Sequence, residues 1–239
     1  MQNYSFEKDF QACVLQYPGL KSIKRNNIVY VNGFLNVINP ETQKGYVTYN
    51  IEMEIPKNFP FAFPTVYEIG GKFPKNDPDN FHTNKNGDLC LDVEASEVLK
   101  TKQGLSLLRF ITSELIPNLS WRYCVLYEIP FDRKEYKHGT PGIFEFYKKF
   151  LNENNIDFLL KTINSFLNSS TVPRKKTCFC NLSGTRLFKH CHKRKADCLY
   201  QIGKIQVSKD YNRMDSFIKN QESKAQNDYN SFYRGHIKH

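Results

Sequence analysis

Residues 28–38 read IVYVNGFLNVI and residues 46–55 read YVTYNIEMEI. Both are rich in β-branched and aromatic side chains. Val47, Tyr49, Ile51, Met53 and Ile55 recur with a period of two, as in a strand with one buried face. The turn-rich stretch from Asn39-Pro40-Glu41 to Gly45 makes the two strands neighbours. Downstream, Thr65-Val66-Tyr67-Glu68-Ile69 reads as a third strand ended by Gly70-Gly71. Pro56, Pro60 and Pro64 keep the segment before it out of a central strand. Upstream, Tyr4, Phe6, Phe10, Val14 and Tyr17 fall near helical spacing over residues 3–17. Leu105, Leu108, Ile111, Leu115 and Ile116 predict a helix over 105–116 that Pro117 stops. Residues 141–151, opening on Pro141, and 156–167 are further apolar helical stretches. Strands followed by helices indicate an α+β fold, an antiparallel sheet flanked by helices.

The chain has 239 residues, of which 40% are hydrophobic, 14% aromatic and 24% charged, enough to fill a core and too apolar for a wholly disordered chain. No stretch approaches the ~20 apolar residues that cross a bilayer. Glu7, Lys8 and Asp9 interrupt the place where a signal peptide needs an apolar run. A cytoplasmic protein with reduced thiols is the expectation, and the seven cysteines are too unevenly placed for a disulfide scaffold. Charge divides the chain: residues 1–170 hold 19 Lys/Arg and 19 Asp/Glu, while residues 171–239 hold 15 and 5, so the whole net charge of +10 sits at the end. Asn168-Ser169-Ser170-Thr171-Val172-Pro173 has linker composition. The expected organisation is a neutral domain over 1–168, a small module over 174–200 and a basic polar tail over 201–239. A helix is predicted within the tail over about 209–228.

Between the third strand and the helices, residues 81–92 read FHTNKNGDLCLD. On its own, a cysteine between two leucines reads as a small core residue. Here His82, Asn84 and Asn86 precede Cys90 by a few residues of non-strand sequence, which points instead to chemistry. Asp88 and Asp92 flank the cysteine, and Asp92 reads as a backbone-capping residue rather than a base. Cys13 and Cys124, within apolar stretches, read as core. No glycine-rich phosphate loop is present, so ATP-dependent adenylation is not expected of this chain.

Two blocks resemble the ubiquitin-conjugating enzymes. Asn58-Phe59-Pro60-Phe61-Ala62-Phe63-Pro64-Thr65-Val66-Tyr67 is similar to their proline-paced flap and strand. His82-x-Asn84-x-Asn86-Gly87-x-Leu89-Cys90-Leu91-Asp92 is similar to their active-site segment. Trp121 and Lys137-His138-Gly139-Thr140-Pro141-Gly142-Ile143 resemble the divergent bacterial members that accompany antiviral CBASS systems. The chain departs from the family at Thr83, which stands where the family has proline, and in its shorter interval from His82 to Cys90. The resemblance covers about residues 1–165 and implies acyl transfer. Cys90 would accept, as a thioester, the C-terminal glycine of a ubiquitin-like protein or of another protein with such a tail, and pass it to an amine. Asn84 or His82 would supply an N–H to the developing oxyanion. His138, on its own a solvated loop residue, would by the same resemblance return to the cysteine as base or oxyanion partner. An activating enzyme and a cyclic-oligonucleotide nucleotidyltransferase are the implied partners. The alternatives are a non-catalytic binding module on the same fold, or a nucleic-acid-binding zinc protein with the first domain as scaffold.

A second constellation lies in the basic part. Cys178-Phe179-Cys180, Cys191-His192 and Cys198 offer soft and borderline ligands suited to tetrahedral zinc. Cys178-x-Cys180, Ser183-Gly184, Phe188-Lys189 and Cys191-His192 resemble the SEC-C zinc motif, with Asn181-Leu182 as an insertion. The resemblance implies a structural zinc module ligated by Cys178, Cys180, Cys191 and His192, with Cys198 or His190 as substitutes. Arg174, Lys175, Lys176, Lys189, Lys193, Arg194 and Lys195 surround it and suit nucleic-acid phosphates or an acidic partner as well as plain solvent.

Overall fold

The computed structural model describes residues 4–38, 45–77, 79–130, 135–168, 177–180 and 187–236. The turn after Asn39, the linker after Asn168, the cluster Arg174–Lys176 and the segment Asn181–Gly184 lie outside them. The chain divides into two compact units, Met1–His138 and Gly139–His239. The division falls at Gly139, whereas the sequence reading places its boundary at 168–173.

The first unit is a mixed α/β layer. Helix α1 (Phe6–Gln16) precedes strands β1 (Leu20–Arg25), β2 (Ile28–Ile38), β3 (Gly45–Ile55) and β4 (Thr65–Glu68), which form one antiparallel sheet in sequence order. The period-two residues face the core: Val31, Leu35 and Val37 of β2, Tyr49, Ile51 and Met53 of β3, and Val66 of β4 are fully buried. At roughly 1.5–3 kcal/mol per buried large apolar side chain, this face holds the sheet to its helices. Strand β1 was not predicted. Only its Leu20 is buried, so LKSIKR carries no alternating pattern.

Helix α2 (Glu94–Thr101) follows the irregular segment. Next comes one helical rod: α3 (Leu107–Phe110), a π-helical turn (Ile111–Leu115) and α4 (Ile116–Leu126). The expected stop at Pro117 does not occur. The proline sits in the first turn of α4, directly after the π-turn, where its missing N–H leaves no ordinary helical bond unmade. Leu107, Phe110, Ile111, Leu115 and Leu119 of this rod are buried in the same core as the sheet.

The second unit is helical. It contains α5 (Thr140–Leu151), α6 (Ile156–Leu167), α7 (His192–Cys198) and the long α8 (Lys204–His236), which contains the helix predicted over 209–228. The buried Tyr147 hydroxyl of α5 donates to Asp210 of α8 at 2.9 Å. Among the described residues no helix is long and apolar enough to cross a membrane.

Candidate functional site

Residues 82–90 fold back on themselves. Thr83 and Leu89 pair as an isolated bridge, and the Cys90 N–H donates to the His82 carbonyl at 2.8 Å. The tip is closed by Asn84 N–H to the Asp88 carbonyl at 2.9 Å and by Gly87 N–H to the Asn84 carbonyl at 2.8 Å. Gly87, at φ +85°, takes the left-handed turn conformation that glycine adopts without cost. The eight-residue interval from His82 to Cys90 is thus a closed hairpin with the two residues on its last rung. Thr83 anchors it: its hydroxyl donates to the Pro74 carbonyl at 2.7 Å and accepts the Asp77 N–H at 2.9 Å. The Leu89 N–H donates to the Val66 carbonyl at 2.8 Å and ties the hairpin to β4.

Arg122 of α4 braces the hairpin from beneath. It is wholly buried. Its Nε donates to the Phe81 carbonyl at 2.8 Å, and its Nη2 to the carbonyls of His82 and Cys90, each at 3.1 Å. A fixed fork of donors suits this task as no other side chain does. Asp92, at the start of α2, accepts the Val93 N–H and the Ser96 hydroxyl and pairs with Lys100 at 2.7 Å, so its carboxylate is committed to the helix start.

Above this frame, one ligand-capable atom each of His82, Cys90 and His138 lies within 4.8 Å of the other two. Cys90 is half-buried, its Sγ 3.7 Å from the Asp92 carbonyl. The His82 ring meets Trp121 at 5.0 Å and His138 at 5.8 Å, both edge to face. The Nδ1 of His138 is enclosed and has no hydrogen-bond partner among the described residues. Burial, reinforced by Arg122 and His138, holds the His82 pKa down to about 4, so its imidazole is neutral at pH 7. Burial also pushes the Cys90 thiol up to about 11; Arg122 opposes this, while Glu97, Asp92 and Asp88 add to it. Glu97 is itself raised to about 8 by burial and by Asp92 and Glu94, with Lys100 opposing. Asn84 lies at the hairpin tip, where its amide donates to Asp88 at 2.7 Å. Two surface grooves, one lined by Tyr17, Phe34 and Ile116 and one by Phe6, Ile55 and Phe59, do not include Cys90.

Of these features, the sequence reading missed Arg122 and Glu97. A charged residue on an apolar helix is the one signal that marks Arg122, and it gives no partner.

In the second unit, Cys178, Cys180, Cys191 and His192 form a group that can hold a metal ion. Cys180 Sγ lies 3.5 Å from both Cys178 and Cys191, and His192 Nδ1 lies 3.1 and 3.3 Å from Cys178 and Cys191. These spacings approach the roughly 3.6–3.8 Å edges of a tetrahedron drawn with ordinary zinc–sulfur and zinc–nitrogen bonds. The Phe179 ring packs on His192 at 4.5 Å. Cys198 is exposed and donates to the Arg194 carbonyl, and neither it nor the exposed His190 belongs to the group. Comparison with protein-family models, with characterised proteins and with solved structures gives no match.

Proposed function

We propose that the chain is a ubiquitin-conjugating-like acyl transferase with Cys90 as acyl carrier. The observation that carries the reading is the half-buried Cys90 thiol clustered with two imidazoles, one of which has an enclosed Nδ1 without a hydrogen-bond partner among the described residues. The antiparallel sheet followed by a cysteine-bearing hairpin and helices is the arrangement that the resemblance to ubiquitin-conjugating enzymes implies.

In the first step the Cys90 sulfur attacks the carbonyl of a C-terminal glycine held as a thioester on a donor. The new C–S bond forms as the donor's breaks, and the Cys90 proton leaves with the departing thiolate. Exchange between thioesters is close to thermoneutral, and because burial favours the protonated thiol of Cys90 the attack needs its proton removed as the donor thiolate departs. In the second step an amine attacks, negative charge develops on the carbonyl oxygen, and an imidazole N–H stabilises it; as the oxyanion collapses the amide forms, the C–S bond to Cys90 breaks, and the thiolate takes up the proton shed by the amine. A single such donor is worth about 2.7–4 kcal/mol. Neutral His82 can donate that N–H, and His138 Nδ1, without a partner among the described residues, can accept the amine's proton. With the Asn84 amide engaged by Asp88, the imidazoles take the role that the resemblance also offered to asparagine.

The proposed acyl group is the C-terminal glycine of a ubiquitin-like protein or of a protein with such a tail. An activating enzyme would supply it. The setting implied by the resemblance is bacterial antiviral signalling, with a cyclic-oligonucleotide nucleotidyltransferase as partner. The metal of the second unit is proposed to be structural zinc, because three thiols and one imidazole leave no ligand position open for chemistry. Incubation of Cys90→Ser with a charged donor should yield a stable oxyester or no adduct, and no conjugate; conjugation at the wild-type rate refutes the proposal.

A further inference from the structure

The two nitrogens of His192 are used unequally. Nδ1 faces the thiols of Cys178 and Cys191, whereas Nε2 lies 2.9 Å from Oε2 of Glu153. The His192 side chain is almost fully buried, so this second contact is made away from bulk water. Glu153 stands in the turn between α5 and α6, 25 residues before Cys178, the first cysteine of the zinc motif. Its carboxylate is held from three sides. Oε1 accepts the Asn155 N–H at 3.2 Å, and Oε2 also accepts from Lys195 Nζ at 2.8 Å. Lys195 lies one turn after His192 on α7 and also donates to the Asn152 carbonyl at 2.7 Å.

An imidazole ligates metal through a nitrogen that carries no proton, so the proton must sit on the other nitrogen. A carboxylate on Nε2–H fixes that tautomer, sets the ring plane and makes Nδ1 more basic. We infer that Glu153 is a positioning residue for the metal group, and that the α5–α6 turn is therefore part of the metal centre. The inference rests on the zinc reading of Cys178, Cys180, Cys191 and His192. It extends the motif to a residue that no cysteine spacing reveals, and it makes metal occupancy a property of the helical unit rather than of a separate appendage.

The test uses the full chain, reduced and stripped of metal, titrated with Co²⁺ and then competed with Zn²⁺ and a chromophoric chelator. Glu153→Leu should lower Zn²⁺ affinity about 10–100-fold. Glu153→Gln, nearly isosteric and still able to accept from Nε2–H, should fall between it and wild type. At saturation the thiolate-to-cobalt charge-transfer band should keep wild-type intensity in both variants, since all three thiolates remain. Tight wild-type binding with both variants within about twofold of it overturns the role of Glu153 and leaves the zinc reading intact. Should Glu153→Leu fail to fold, Glu153→Gln decides alone: affinity equal to wild type overturns the inference. A wild-type chain that takes up neither ion overturns the zinc reading and this inference with it.

Discussion

The two thiol sites use the same donor atom in opposite ways. At Cys90 one sulfur stands among imidazoles, with burial raising its pKa to about 11 and the main chain beneath it pinned by Arg122. At Cys178 burial also disfavours the thiolate. There the backbone N–H groups of Cys180 and His192, with the His192 and Cys180 side chains, outweigh it and bring the thiol down to about 7. The first environment favours the protonated thiol. The second favours the charged form that a metal needs at Cys178, while burial and the neighbouring sulfurs of Cys178 and Cys191 push Cys180 up to about 12. The lesson is that a cysteine's role is decided by which backbone and side-chain dipoles reach its sulfur, not by its burial alone.

The largest effect expected from this contrast is metal removal. Structural zinc supplies roughly 10–16 kcal/mol in small zinc peptides at pH 7. Chelation should therefore melt helical signal from Gly139–His239 while leaving the alkylation rate of Cys90 unchanged. Equal loss at both sites, measured by circular dichroism and mass-resolved alkylation, breaks the contrast.

Next is Arg122→Leu. It strips the part-buried carbonyls of Phe81 and Cys90 of this donor and leaves the buried His82 carbonyl with the Cys90 N–H alone, at up to about 1–3 kcal/mol for each group left unpaired. A loss of about 2–5 kcal/mol in the unfolding of the first unit, read from urea denaturation, is expected.

A smaller effect is the pH profile of Cys90 alkylation by iodoacetamide. Only the thiolate reacts, so the rate should climb about tenfold per pH unit from 8 towards 11. A plateau setting in by about pH 9.5–10 would mean an unperturbed thiol.

The smallest is acid sensitivity. Unfolded His82 binds a proton near pH 6.5, while folded His82 resists it down to about 4. Between these values the unfolded state holds more protons, so the stability of the first unit should fall as pH drops through that window. His82→Gln should flatten this slope.

Particular residues show what the sequence made legible. The core-facing run from Tyr49 to Ile55 was readable because one sheet face is buried and the period is two. Strand β1 was not, because it lies at the sheet edge and buries only Leu20. Pro117 misled because the π-turn that absorbs it has no local sequence signature. His82 and Cys90 could be paired along the chain, since a hairpin joins them. The approach of His138, nearly fifty residues away, is a product of tertiary folding, and only a resemblance pointed to it. Arg122 and Glu153 were invisible for the same reason: each acts on a segment distant in sequence through hydrogen bonds that no periodicity encodes.

The most direct measurement of the central claim is peptide mapping of the wild-type chain after incubation with a donor protein carrying an activated C-terminal glycine. A thiol-labile adduct is expected on the peptide containing Cys90 and none on those containing Cys178, Cys180 or Cys191. An unmodified Cys90 in a reaction where the donor remains charged, or an adduct confined to the second unit, contradicts it.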